Sequence, residues 1–153
     1  MRLVEYPQHY EPDGSPSIYL AGSGTSRPGW QASAVALLDA AGFTGAVLNP
    51  QPCDPATGPS GAWTSSGWQE HNLRRNGVVL LWCPLGAQQI RDVHLSRHSR
   101  TALVVGCDRG DPAQRAVHAE LLALMPRLSI VTDLAATVRA ALAHFNAPAA
   151  TRP

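Results

Sequence analysis

Asp92, with Arg91 before it and His94 two residues on, brings together the side chains of this sequence best suited to chemistry on a small molecule. A carboxylate can attack an electrophilic carbon, an imidazole can move a proton near neutral pH, and a guanidinium can hold an anion. Around them stand groups suited to binding. Gly22, Ser23 and Gly24 would let backbone N–H groups approach a phosphate or a sugar. The Tyr19 hydroxyl could orient a carboxylate or a sugar, the Gln69 amide could read a base edge, and the Trp82 indole could stack on a base. His71 beside Glu70 could act as a general acid, and Arg27, Arg91 and Arg97 could hold a phosphate. Each residue also has a plainer reading: Asp92 and the arginines as solvated surface, His71 as part of a short surface helix, Tyr19 and Trp82 as core.

Some chemistry is excluded. Every basic side chain other than histidine is Arg, so neither a Schiff-base lysine nor a P-loop lysine exists. His94 and His98 are one helical turn apart, but no third ligand falls at a recognisable spacing, so no metal and no cofactor are expected. Cys53, Cys83 and Cys107 form no CxxC pair and read as reduced thiols in a cytoplasmic protein. A formal net charge of +1 without a basic stretch argues against polymeric nucleic acid as a partner. No apolar run approaches a membrane span, and the first residues have no apolar core of a signal peptide.

The elements that must position these residues follow from the hydrophobic pattern. With 153 residues, 44% hydrophobic and 15% charged, the chain has the size and composition of one compact domain. Residues 1–16, with three prolines and Gly14, read as an extended N-terminal arm, residues 17–146 as the domain, and residues 147–153 as a flexible tail. Short apolar runs predict five strands: Ser17–Gly22, Gly45–Asn49, Val78–Cys83, Ala102–Cys107 and Leu128–Val131. Helical spacing between and after them predicts helices over Trp30–Ala41, Trp68–Asn76, Ala87–His98, Asp111–Leu124 and Leu134–Phe145. Gly42 suits a helix C-cap and Asp133 an N-cap. The Pro-rich stretch 50–67 reads as a long loop that walls a pocket or, through Trp63, meets another subunit.

Strict alternation of strand and helix predicts an α/β fold: a flavodoxin-like open five-stranded parallel sheet, order 2-1-3-4-5, with helices on both faces. Ligands in such sheets bind outside the carboxyl ends of the strands where strand order reverses, here between the first and third strands. Gly22–Arg27 and Pro84–His94 fall at that crevice.

Several pieces, in order, resemble the nucleoside 2-deoxyribosyltransferase family. Ile18-Tyr19-Leu20-Ala21-Gly22 is similar to its opening strand, Trp30–Phe43 to its first helix, and Val47-Leu48-Asn49-Pro50 to its strand ending in Pro. Trp68 with Leu73, the run Val78–Pro84, and Leu103–Asp108 resemble its Trp-Glu helix, its Phe-Trp-Pro strand end and its later strand. The resemblance implies a dimer or larger homo-oligomer that cleaves the N-glycosidic bond of a nucleoside. A carboxylate would attack the anomeric carbon, as in a retaining glycosidase, and a second base or water would take the sugar. An ungapped register puts Asp92 at the nucleophile position, and a two-residue gap puts His94 there. Tyr19 matches the family's orienting tyrosine, while Gln69 stands where the family has a base-contacting carboxylate. Two functions follow as expectations: transfer or hydrolysis at the N-glycosidic bond of a nucleoside or nucleotide, or a catalytically silent relative that binds a nucleotide-like ligand or a protein partner.

Overall fold

The computed structural model describes residues 1–22, 29–51, 65–96 and 100–146, without the side chains of residues 65, 66 and 96. Its elements, in order, are β1 (Arg2–Glu5), β2 (Ser17–Gly22), α1 (Trp30–Ala40), β3 (Ala46–Asn49), α2 (Ser65–Leu73), β4 (Val78–Trp82), α3 (Ala87–Ser96), β5 (Ala102–Gly106), α4 (Pro112–Leu124), β6 (Ile130–Val131) and α5 (Leu134–Asn146).

The fold is α/β with an open parallel sheet of order β1-β3-β2-β4-β5-β6. The five strands expected from the sequence are present, and among themselves they keep the flavodoxin-like order. The correction is a sixth strand. Residues 2–5, expected as part of an extended arm, pair in parallel with β3, from Arg2 opposite Ala46 to Glu5 opposite Asn49. The larger boundary shifts are at α2, which starts three residues before Trp68 and ends at Leu73, and at β6, which is only Ile130–Val131.

Alternating side chains build two cores, one on each face of the sheet. Tyr19, Leu48, Val79, Leu81 and Val105 point to the face covered by α2, α3 and α4, where they meet Trp68, Ile90, Val93 and Leu121. Ile18, Leu20, Val47, Leu80 and Val104 point to the face covered by α1 and α5, where they meet Trp30, Leu38 and Val138. The arm joins the first core: Val4, Tyr6 and Tyr10 are buried, and the Trp68 indole N–H donates to the Gln8 carbonyl at 2.7 Å.

Helix ends follow from local residues. At the end of α1, Gly42 adopts φ +73°, its N–H donates to Asp39 and that of Phe43 to Leu38, the Schellman pattern that only a left-handed residue completes easily. Asp111 caps α4 by accepting from the Ala113 N–H, with Pro112 in the first turn. Asp133 accepts from the Ala136 N–H at 2.7 Å at the start of α5, as its sequence position predicts. No helix among the described residues is long and apolar enough to cross a membrane.

Candidate functional site

Strand order reverses between β2 and β4, because the chain leaves β2 for β3 on one side and reaches β4 on the other. The crevice outside their carboxyl ends is the place such a sheet offers a ligand. Gly22 and Trp82 are register partners there. They approach so closely that a Cβ on Gly22 would lie 1.9 Å from the Trp82 carbonyl oxygen, and the Gly22 φ of +141° is itself disfavoured for other residues. Cys83 follows with φ 49°, an uncommon left-handed conformation for a residue with a side chain. It turns the chain out of the sheet while its N–H still donates to the Gly106 carbonyl at 2.9 Å. Beyond it, the Leu85 N–H donates to Gln89 of α3 at 2.7 Å and Gln114 of α4 donates to the Pro84 carbonyl at 3.1 Å, so both helices hold the loop leaving β4.

The expected site residues are not gathered at one point. Gly22 lies at the crevice, whereas Ser23 and Gly24, like Arg27, Arg97 and His98, fall outside the described residues. Tyr19 lies on the α2 side of the sheet, 1% exposed, its ring tilted against Trp68 with centroids 6.2 Å apart. Among the described residues its hydroxyl has no hydrogen-bond partner, and burial holds its pKa above the ordinary tyrosine value. Asp92 is exposed, and its Oδ1 accepts from Gln88 Nε2 at 2.8 Å one turn back on the same helix. The cause is the period of α3: Ala87, Ile90 and Val93 face the core, which turns Arg91, Asp92 and His94 toward solvent. The structure therefore does not join Tyr19 to Asp92.

Gln69 is half-buried on α2. The Trp82 ring is 3% exposed and packs in the α1/α5 core, where a Cβ on Gly106 would lie 2.6 Å from it. The Trp82 backbone carbonyl lies against Gly22 of the neighbouring strand. Cys83 and Cys107 are buried, and burial together with the neighbouring Cys83 raises the Cys107 thiol to about 12. Cys107 therefore reads as a structural rather than a nucleophilic group. Among the described residues no cluster of three His, Cys, Asp or Glu could hold a metal ion.

Sequence reasoning passed over two polar groups at the carboxyl edge. Asn49, fully buried at the end of β3, donates to Glu5 at the end of β1 at 3.2 Å. Gln114 is 2% exposed, and its Oε1 has no partner among the described residues. The signal for the first was Asn closing the apolar run Val47-Leu48, a polar residue where a buried strand ends. A separate groove lined by Gly67, Glu70, His71, Arg74 and Arg75 runs along α2. Its charges are largely matched internally: Arg74 pairs with Glu70 at 2.8 Å, and Glu11, held below the usual carboxylate range by its bond to His9 at 2.7 Å, lies 3.9 Å from Arg75.

Compared with known proteins, the chain matches no family model and no curated sequence. The functional reading therefore rests on the residues and their placement.

Proposed function

We propose that the chain is a divergent relative of the nucleoside 2-deoxyribosyltransferases that binds a nucleoside, nucleotide or related N-glycoside over the carboxyl ends of β2 and β4. The observation that carries this is the reversal of strand order at Gly22 and Trp82, where two strand ends meet too closely for a side chain on Gly22. The reading favoured is binding without turnover. An exposed Asp92 bonded to Gln88 lacks the enclosure and the tyrosine partner that a carboxylate nucleophile needs.

The catalytic alternative rests on the register of the resemblance, which puts Asp92 at the position of the attacking carboxylate. In that reaction Asp92 attacks the anomeric carbon, and the C–N bond breaks with its electron pair leaving on the base, which takes up a proton. Water or a second base then displaces Asp92. Assembly as a homo-oligomer and a cytoplasmic setting, which suits two reduced buried thiols, belong to the same proposal.

The test is incubation of the protein with purine and pyrimidine nucleosides and nucleotides, monitored for binding by calorimetry and for free base by chromatography. Binding without base release is the expected result. Base release that disappears in Asp92→Ala would establish the catalytic alternative, and absence of both binding and release would remove the proposal.

A further inference from the structure

The face that α3 turns to solvent is not simply polar. Helical spacing puts Gln88, Arg91, Asp92 and Leu95 on one stripe, directly away from Ile90, which the core encloses. Leu95 is 80% exposed, and Leu85, in the loop just ahead of the helix, is 68% exposed. They are the two most exposed large apolar side chains among the described residues. Such side chains in water mark a surface that has a partner more often than one that has none. Between the two leucines, Arg91 makes no ion pair among the described residues. Asp92 is held on the stripe by Gln88, whose Nε2 donates to its Oδ1 at 2.8 Å, and an ionised carboxylate has further acceptor positions.

We propose that this stripe is the contact surface of a symmetric homodimer, in which α3 packs against the antiparallel α3 of a second copy. The argument is charge complementarity. Take a two-fold axis normal to the helix that passes between Arg91 and Asp92. At about 100° per residue, Arg91 lies on one flank of the stripe and Asp92 on the other. The axis exchanges the flanks as it reverses the helix direction, so Arg91 of each copy faces Asp92 of the other. That gives two opposite-charge pairs, while the two Arg91 side chains stay on opposite flanks. The same operation sets Leu95 of each copy against the methylenes of Gln88 of the other, with Leu85 of that copy in the loop three residues before it. The occupant follows from these matches. A helix that offers an anion to Arg91, a cation to Asp92 and an apolar side chain to Gln88, at this spacing, is α3 itself. The contact is small, of the class of weak and transient complexes, so the dimer should form in the micromolar range, with the charge pairs fixing register more than affinity. The proposal gives a surface to the homo-oligomer named above and rests on that part of the functional reading alone, not on the ligand. It also assigns the exposed Asp92 carboxylate to a partner chain rather than to a sugar.

The test is sedimentation equilibrium of the full-length chain from micromolar to millimolar concentration, where the wild type should show a monomer–dimer equilibrium. Arg91→Asp and Asp92→Arg each set like charges across the axis, and each should weaken the dimer about tenfold or more. Mixed together, these two variants become complementary again and should associate about as tightly as the wild type. Leu95→Ser should also weaken the dimer about tenfold, by removing its apolar contact. Circular dichroism checks that the helices are kept, and rescue in the mixture is itself a result that no misfolded variant gives. A dimer that all three single variants leave intact, or weakening by R91D and D92R without rescue in the mixture, would overturn this surface and leave the homo-oligomer standing. A wild type that stays monomeric throughout would remove both, with the nucleoside reading still to be decided by its own binding experiment.

Discussion

A hydroxyl buried without a partner costs the fold its full desolvation, on the order of 1–3 kcal/mol. The Tyr19 hydroxyl is in that position, sealed beneath Trp68 in the core under α2 and α3. Tyr19→Phe removes the unsatisfied atom and keeps the ring. We expect it to raise the unfolding free energy by about 1 kcal/mol, read from the midpoint of a urea titration with an unchanged slope. A loss of stability would mean that the hydroxyl does have a partner in solution. At this scale the sequence was informative about residue type and poor about direction. That Tyr19 sits in a buried strand was legible from its apolar neighbours. That Asp92 faces solvent was legible only once the apolar stripe Ala87, Ile90 and Val93 is given priority over the register of a resemblance. Glu5 was illegible, because its neighbour Asn49 comes from a different strand.

At the scale of elements, the missed strand has a physical reason. Arg2–Glu5 has two apolar residues in four and runs straight into Tyr6-Pro7, so nothing local marks it as a strand. Its existence depends on β3, whose outer edge it covers. The five longer or more apolar strands announced themselves without such help. The same dependence makes the N-terminal segment part of the core rather than an appendage. Val4, Tyr6 and Tyr10 are each less than 9% exposed, and Tyr6 meets Trp68 edge to face with ring centroids 6.0 Å apart. Burial of such side chains stabilises by about 2 kcal/mol each, so losing three of them removes about 6 kcal/mol, comparable with the whole net stability of a domain. A chain lacking residues 1–10 should therefore lose its cooperative thermal transition, and the emission of Trp68 should shift to the red as water reaches it. A truncated chain that melts cooperatively near the wild-type temperature would reduce the segment to an accessory strand.

For the whole molecule, the alternation of strands and helices was enough to read the layered architecture and the point where strand order reverses, because right-handed crossovers leave few other topologies. The closeness of the two strands at that point was not legible, since it is a relation between Gly22 and a carbonyl far along the chain. Gly22→Ala tests whether the fold depends on that contact. The added Cβ would meet the Trp82 oxygen at 1.9 Å, against backbone that cannot rotate away, so β2 and β4 must part at their carboxyl ends. The clash and the strain at φ +141° together should cost on the order of 3 kcal/mol, lowering the melting temperature by roughly 10 °C for a chain of this size. Gly42→Ala is the control, because Gly42 also has positive φ but nothing within 4 Å of its Cβ position. It should lose about 1 kcal/mol. If the structure is right, the Gly22 variant melts well below the Gly42 variant and also binds nucleosides more weakly. Equal losses at the two positions would assign the cost to backbone conformation alone and detach the crevice from the close approach of β2 and β4.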